Sequence, residues 1–172
     1  MADPKPTVFL SYRRNVSSFI ARAVFQHLRQ HQYDVFMDVE SIDSGQFEKI
    51  ILAQITARAH FLVVLTPGTL ERCREPGDWL KREIEYAMDF GRNIVPILVN
   101  EFRFDDHALT YLIGKLSALP RYNALPLPHE YFDAAMKRLR TRFLKQPAQG
   151  VITSPLRQDI PIVQAKIAEA AR

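Results

Sequence analysis

The sequence has a single cysteine, few glycines and no long apolar run, and each shortage excludes a class of protein. Cys73 is the one cysteine among 172 residues, so an internal disulfide is impossible and we expect a cytoplasmic protein. The six glycines are scattered and form neither a G-x-G-x-x-G dinucleotide fingerprint nor a P-loop. No apolar run approaches the roughly 20 residues of a membrane-spanning helix. The polar, proline-rich residues 1–6 argue against a signal peptide.

The composition indicates one globular domain with a basic segment near its end. Hydrophobic residues make up 47% of the chain and charged residues 24%, and the length allows a sizeable core. The net charge of +4 is concentrated in residues 129–145. The basic residues there are Lys137, Arg138, Arg140, Arg142 and Lys145. A basic helix can bind nucleic acid or an anionic membrane. We favour a solvated helix face, because no aromatic residues are placed to stack on bases.

Short apolar runs alternate with helical patterns along the chain. The runs that predict strands are 7–11, 33–37, 61–65 and 93–99, and a fifth short strand is expected within 100–128. The helical patterns are 17–31, 47–59, the segment from Trp79 onward, 108–116 and 130–144. This order, with strands that are nearly all apolar, predicts a doubly wound α/β fold with a parallel sheet. Pro96 should either place the fourth strand near an edge of that sheet or mark the start of the strand.

The chain is predicted to consist of a domain, a linker and a last helix. Residues 1–145 are expected to form the domain, and 146–155 a linker, because they contain two prolines and Gly150. Residues 156–172 follow a helical pattern that ends without a capping signal. We therefore expect this helix to begin a further region or to dock on a partner.

The predicted tryptophan helix carries the strongest candidate site. Trp79 and Glu83 are four residues apart, which places both side chains on one face of a helix. An indole beside a carboxylate can stack on a flat cationic ring and stabilise a positive charge that develops next to it. That chemistry suits cleavage of a nicotinamide–ribose bond. Both residues are predicted at the border of the buried stripe formed by Leu80, Ile84 and Ala87. Spacing alone favours the alternative, in which Trp79 covers the edge of the core and Glu83 is solvated.

Two further polar groups follow predicted strands, at the sheet edge where ligands of such folds bind. Arg13 and Arg14 come directly after the first strand, where they can hold a pyrophosphate or be surface arginines. The loop after the second strand carries the carboxylates Asp38, Glu40 and Asp43. One of these can accept hydrogen bonds from ribose hydroxyls. Alternatively, the loop is an acidic surface whose Ser44 caps the next helix.

The sequence gives less support to a metal site or to a catalytic thiol. His27 and His31 have a spacing that can bind zinc, but no third ligand is evident. Cys73 lies between Arg72 and Arg74, which we expect to lower the pKa of its thiol, but no partner histidine is evident. We therefore expect neither a metal site nor a catalytic thiol.

Together these segments resemble the Toll/interleukin-1 receptor (TIR) domain family. The resemblance rests on FLSYRRN at 9–15, VFMDVE at 35–40, GQFE at 45–48, VVLTPGTL at 63–70, DWLKREI at 78–84 and NIVPI at 93–97. It covers about residues 6–145 and is nearest to the catalytic branch of the family. The resemblance implies a flavodoxin-like, doubly wound sheet of about five strands with helices on both faces.

The catalytic branch implies an NAD+ glycohydrolase that releases nicotinamide and forms ADP-ribose or a cyclic product. By resemblance, Glu83 is the catalytic residue and Trp79 stacks on the nicotinamide or on the base of an exchange substrate. The residues implied as NAD+ contacts are Tyr12, Arg13, Arg14, Asp43 and Phe47, and those implied in a mobile loop are Asp38 and Gly45. The resemblance implies no metal and no cofactor, since NAD+ is the substrate.

The family resemblance also implies partners. Catalytic TIR domains work as self-associating proteins in immune or cell-death responses, so a homo-oligomer is expected and a nucleic-acid partner is not. The alternative is a non-enzymatic TIR adaptor that recruits other TIR domains through its loops. Adaptors commonly lack the glutamate four residues after the tryptophan, which this chain has at Glu83.

Overall fold

A five-stranded parallel sheet forms the centre of the domain in the computed structural model, which describes residues 5–37, 45–145, 147–148 and 150–171. The strands are β1 (Thr7–Ser11), β2 (Asp34–Met37), β3 (His60–Leu65), β4 (Asn93–Leu98) and β5 (Leu125–Pro126). Their spatial order is β2-β1-β3-β4-β5, and every pairing is parallel. This is the flavodoxin-like, doubly wound order, so the predicted fold is confirmed.

Helices connect and follow the strands. The α-helices are α1 (Arg14–Gln30), α2 (Gly45–Ala57), α3 (Trp79–Asp89), α4 (Asp106–Leu109), α5 (Phe132–Thr141) and α6 (Ile160–Ala170). Short 3-10 helices lie at Glu71–Arg74, Gly114–Arg121, His129–Tyr131, Phe143–Lys145 and Arg157–Asp159. α1 begins at Arg14 rather than at residue 17, and it is kinked at Ser17, where φ is −141° and ψ is 18°.

Two predicted helices differ in extent from the observed ones. The pattern over 108–116 corresponds to the four-residue α4, whose first turn is capped by the Asp105 carboxylate at 2.8 Å from the Ala108 nitrogen. α4 ends at Leu109, and Gly114 has a φ of 63°, a left-handed conformation that a continuous helix over 108–116 cannot contain. The predicted helix over 130–144 is divided, because 3-10 turns precede and follow α5.

Both faces of the sheet are buried under helices, as a parallel sheet requires. On one face, Val8 and Leu10 of β1 pack with residues of α1 and α5. On the other, Phe9 stacks on Phe61 with ring centroids 5.5 Å apart, and both pack with residues of α2 and α3. Successive residues of a strand point to opposite faces. The side of β1 that carries Phe9 therefore faces α3.

Pro96 lies inside β4, the strand next to the edge strand β5. β5 pairs with Ile97 and Leu98, just beyond Pro96. The proline therefore removes no hydrogen bond from that pairing, and its predicted position near an edge of the sheet is confirmed.

The chain beyond residue 146 returns to the domain. Thr153 donates its backbone N–H to the Thr56 carbonyl at 3.0 Å and its hydroxyl to the Thr56 hydroxyl at 2.7 Å. α6 packs against the edge strand β2, with Val163 and Ala170 buried. The last helix thus docks on this chain's own sheet, whereas the boundary at residue 145 stays a prediction. Among the described residues, no helix has both the length and the apolar character of a membrane span.

Candidate active site

The crevice at the carboxyl ends of β1 and β3 is where the order of the strands switches direction. Ligands of doubly wound folds bind in such a crevice. β1 ends there at Ser11 and β3 at Leu65. α3 reaches the same place, because the Ser11 Oγ lies 3.2 Å from the Glu83 Oε1.

Glu83 is buried at this crevice, with 5% of its surface exposed. It shares the inward side of α3 with Leu80, Ile84 and Ala87, so its predicted position at the border of the stripe is wrong. The reason is that the end of β1 packs over this side of the helix and its Ser11 hydroxyl donates to the carboxylate. A buried carboxylate needs such donors to offset its lost hydration.

Trp79 is half-buried, as its predicted border position requires, and it is the first residue of α3. The Arg82 guanidinium lies 5.2 Å from the centre of the indole ring, within range of a cation–π interaction. Arg82 also pairs with the carboxylate of Glu48 on α2. The indole is therefore held beside the crevice while part of its surface stays accessible.

A buried ion pair joins the end of β1 to the start of α3. Arg13, 8% exposed, donates two hydrogen bonds to the Asp78 carboxylate, at 2.6 and 3.1 Å. Its Nε and Nη2 also donate to the Thr69 carbonyl, at 3.2 and 3.0 Å. Asp78 is in turn the N-cap of α3 and accepts from the Lys81 backbone N–H at 3.1 Å.

The ion pair determines the protonation states of both partners. Burial by itself raises the pKa of Asp78, but the hydrogen bonds and the charge of Arg13 outweigh burial and leave that pKa below its usual value. Burial lowers the pKa of Arg13, and the Asp78 carboxylate more than compensates for it. Both groups are therefore charged at neutral pH, and the start of α3 is fixed against β1.

The other arginine after β1 is in a different environment. Arg14 is exposed, as the first residue of α1. Tyr12 directly follows β1 and precedes the two arginines. It is half-buried and packs against the core beneath α1. Arg13 is engaged by Asp78, and Arg14 is solvent-accessible, so the two predicted NAD+ contacts are not equivalent.

The predicted loop residues are only partly within the described part of the chain. Asp38 and Asp43 lie outside the described residues. Gly45 is the first residue of α2, and Phe47, half-buried, packs against the core beneath that helix. The Lys166 ammonium of α6 lies 5.0 Å from the centre of the Phe47 ring. The last helix therefore contacts the helix that follows the loop.

Cys73 is fully buried in the 3-10 helix that precedes α3. Burial raises the pKa of its thiol to about 12, and the neighbouring Asp78 adds to the shift while Arg13 opposes it. The expectation that the flanking arginines lower this pKa is therefore wrong, because Arg72 and Arg74 are exposed. The thiol is protonated and shielded in the folded chain.

We expect Cys73 to resist thiol-exchange reagents in the native chain. A protonated, buried thiol is a poor nucleophile, so labelling should be slower than in the urea-unfolded chain by at least about a hundredfold. Both labelling rates, in the native and in the unfolded chain, are measured from the absorbance of the thiol that the reagent releases. Equal rates in the native and the unfolded chain would contradict the burial of Cys73.

His27 of α1 and His31, the C-cap of that helix, stack on each other, with ring centroids 4.3 Å apart. Burial, followed by the charges of His31 and Arg140, lowers the pKa of His27. The Arg140 Nε donates to the His27 Nε2 at 3.2 Å, so one of the basic residues of α5 faces the core edge. In the described ranges, no three His, Cys, Asp or Glu residues are grouped to hold a metal ion.

A cavity of about 220 Å³ lies at the opposite edge of the sheet, at the start of β4. Its lining includes Arg92, Asn93 and Arg121. The Arg92 guanidinium donates to the Phe90 carbonyl from Nε and Nη2, at 3.1 and 2.8 Å. Because it is at the amino ends of the strands, this cavity is separate from the crevice that holds Glu83.

Three residues of the crevice carry contacts that sequence reasoning missed: Ser11, Asp78 and Arg82. Asp78 had a local signal, since an aspartate directly before a helical pattern is a preferred N-cap. Arg82 lies three residues after Trp79, a spacing that brings two side chains together on a helix. Ser11 had no local signal, because its partner is 72 residues away in the sequence.

The fold and the crevice define a flavodoxin-like α/β domain with a candidate ligand site at the switch point of its sheet. The sequence pattern of the TIR domain family matches residues 8–139, and the chain belongs to that family.

The chain is similar to three curated relatives. It is 30% identical over 169 residues to the NAD(+) hydrolase tir-1 of Caenorhabditis elegans, covering 96% of this chain and 17% of the relative. It is 33% identical over 148 residues to the NAD(+) hydrolase SARM1 of Danio rerio, covering 84% and 20%. It is 34% identical over 141 residues to the NAD(+) hydrolase sarm1 of Drosophila melanogaster, covering 80% and 10%. The chain thus spans a fifth or less of the length of these relatives.

Proposed function

We propose that this TIR domain cleaves the nicotinamide–ribose bond of NAD+, with Glu83 as the catalytic carboxylate. The observation that carries the proposal is a buried carboxylate, held at the crevice of the sheet, one helical turn from a half-exposed tryptophan. The similarity to three relatives named NAD(+) hydrolases supports this choice of substrate.

In the proposed reaction, the bond between C1′ of the ribose and the nicotinamide nitrogen breaks. The electron pair leaves with the nicotinamide, which becomes neutral and needs no general acid. The ribose passes through an oxocarbenium-like state, whose positive charge the Glu83 carboxylate stabilises in a site of low dielectric. Water then adds to C1′ and loses a proton, which gives ADP-ribose. Attack by the adenine or a hydroxyl of the same molecule gives a cyclic product instead.

Trp79 is proposed to stack on the nicotinamide ring. The ring carries a positive charge in NAD+, and an indole face attracts flat cations. Arg82 and Glu48 hold the indole against α2, which reduces the cost of ordering it when substrate binds.

Replacing Trp79 by alanine is expected to raise the KM for NAD+ by about tenfold or more, since aromatic stacking is worth about 1–3 kcal/mol per ring. Steady-state NAD+ consumption measures the change, and circular dichroism verifies the fold. Trp79→Phe keeps an aromatic face and should recover part of the affinity. A KM within twofold of the wild type in Trp79→Ala would exclude the stacking role.

The remaining substrate contacts are proposed from the resemblance and from exposure. Arg14 is accessible at the start of α1 and suits the pyrophosphate. Tyr12, Phe47 and Asp43 complete the proposed NAD+ contacts, and Asp38 and Gly45 the proposed mobile loop. Arg13 is kept among the proposed contacts, although its guanidinium is engaged by Asp78.

The domain is further proposed to act as a homo-oligomer in a cytoplasmic immune or cell-death response. Exposed apolar side chains on α1 support self-association, because Phe19 is 92% and Val16 43% exposed. The single, buried cysteine is compatible with a reducing compartment.

The test of the proposed function is the separation of products by chromatography after incubation of concentrated chain with NAD+. A hydrolase yields nicotinamide and ADP-ribose, and a cyclase yields nicotinamide and a cyclic product. A non-enzymatic adaptor yields neither, even when light scattering shows that the chain has self-associated. A shift in the electrophoretic mobility of DNA that weakens with added salt would instead favour nucleic-acid binding through the basic face of α5.

A further inference from the structure

Ser11 is a polar residue at a position where the sheet is otherwise apolar. It lies on the same side of β1 as Phe9, the side that faces α3. It is 1% exposed, and it pairs with Val63 of the central strand β3. A buried hydroxyl lowers stability unless it has a hydrogen-bond partner. A serine at this position therefore needs a hydrogen-bond partner, and the Glu83 carboxylate accepts from it.

The Ser11 hydroxyl donates to the Glu83 Oε1 at 3.2 Å, across 72 residues of sequence. A glutamate side chain has three rotatable bonds, and one donor on a carboxylate oxygen restricts them. The sheet holds the backbone of Ser11, because Ser11 pairs with Val63 of β3 and the preceding residue, Leu10, pairs with strands on both sides. The Ser11–Glu83 hydrogen bond therefore restrains the carboxylate relative to the sheet.

A second contact fixes the helix that carries the carboxylate. Two residues after Ser11, the Arg13 guanidinium holds Asp78, the N-cap of α3. The helix backbone is thus placed by Arg13, while Ser11 contacts the carboxylate of the Glu83 side chain itself. The Arg13–Asp78 contact thus stabilises the fold, whereas the Ser11–Glu83 contact orients one functional group.

We propose that Ser11 is the positioning residue of Glu83, which it holds in the orientation that stabilises the oxocarbenium-like ribose. This inference rests on the proposed function. Electrostatic stabilisation acts only when the charged group is fixed before the reaction, so loss of the hydroxyl should reduce turnover more than substrate binding.

The experiment compares Ser11→Ala with Ser17→Ala in steady-state NAD+ consumption by self-associated chain. Ser17 is also buried, at 3% exposure, and its hydroxyl donates to the Arg13 carbonyl at 2.9 Å, so it controls for the loss of a buried hydroxyl. We expect Ser11→Ala to lower kcat about 10- to 100-fold, the range of a hydrogen bond to a charged group, with KM within about threefold. Ser17→Ala should keep its kcat within about threefold of the wild type.

Conservative variants separate orientation from folding. Ser11→Thr keeps the hydroxyl and should restore most of kcat, whereas Ser11→Cys keeps the size with a weak donor and should resemble Ser11→Ala. If Ser11→Ala does not fold, the comparison of kcat between Ser11→Thr and Ser11→Cys tests the inference instead. Equal kcat values in Ser11→Ala and Ser17→Ala, or in Ser11→Cys and Ser11→Thr, overturn the inference while the wild type still cleaves NAD+. An inactive wild type overturns the proposed function as well.

Discussion

Replacing Glu83 by glutamine is expected to abolish NAD+ cleavage while the fold is retained. Glutamine has the same shape and still accepts the hydrogen bond from Ser11 through its amide oxygen. It carries no negative charge, so it cannot stabilise the positive charge that develops on the ribose. We expect kcat to fall by at least about a thousandfold, the upper range for losing one electrostatic stabiliser in a buried site.

The matched control is Glu85→Gln, which makes the same chemical change two residues further along α3. Glu85 is half-exposed and lies outside the buried side of the helix. Its replacement should leave kcat within about twofold of the wild type. The two variants and the wild type are compared in one NAD+ consumption assay with thermal unfolding beside it. A Glu83→Gln variant that turns over NAD+ like Glu85→Gln would remove Glu83 from the mechanism.

Replacing Arg13 by alanine is expected to destabilise the domain strongly. The change leaves the Asp78 carboxylate buried without the two hydrogen bonds that now neutralise it, at 2.6 and 3.1 Å. Removing one partner of a buried ion pair costs about 3–5 kcal/mol in the free energy of unfolding. Urea unfolding followed by circular dichroism measures the loss. Arg14→Ala, an exposed neighbour, should change the unfolding free energy by no more than about 0.5 kcal/mol.

The same ion pair gives a pH dependence with a definite sign. The folded chain holds the pKa of Asp78 below its ordinary value of 3.8, so the pair stabilises the fold fully above that pH. Its contribution is lost as the pH falls through the lower folded pKa. The difference in stability between the wild type and Asp78→Asn should therefore be constant near neutral pH and shrink at acidic pH. A difference that grows on acidification would contradict the pairing.

The stability results also decide how Arg13 should be interpreted. The resemblance to catalytic TIR domains implies that Arg13 contacts NAD+, whereas the structure shows its guanidinium on Asp78 and the Thr69 carbonyl. If Arg13 is chiefly structural, Arg13→Ala lowers stability first and Arg14→Ala raises the KM for NAD+ without a change in stability. The reverse pattern would assign the substrate contact to Arg13.

The central features of the fold follow from local sequence patterns. β1 has the bounds predicted for it, and β3 and β4 begin or end within one residue of theirs, because runs such as Phe61–Leu65 are too apolar for any position but a buried parallel strand. Segments that depend on single residues were harder to predict. The cap at Asp105 starts α4 two residues before the helical pattern over 108–116, and Gly114, with its positive φ, interrupts that pattern.

The placement of Trp79 and Glu83 on one helix follows from the sequence, whereas their contacts do not. The four-residue spacing of Trp79 and Glu83 indicates a shared helix face, and the two side chains do lie on the same helix at the crevice. Spacing cannot show what packs over that face. The bonds Ser11–Glu83 and Arg13–Asp78 span 72 and 65 residues, so the burial of Glu83 and the raised pKa of Cys73 appear only once β1 and α3 are brought together.

Cleavage of NAD+ by this chain is best measured as the release of nicotinamide from NAD+ that is labelled in its nicotinamide ring. Concentrated wild-type chain, verified as self-associated by light scattering, is incubated with the labelled substrate and the free label is counted over time. We expect one labelled nicotinamide to be released for each NAD+ lost, at a rate proportional to the amount of chain. Intact NAD+ in a self-associated, folded sample would contradict this expectation and favour a TIR domain that acts through its surfaces alone.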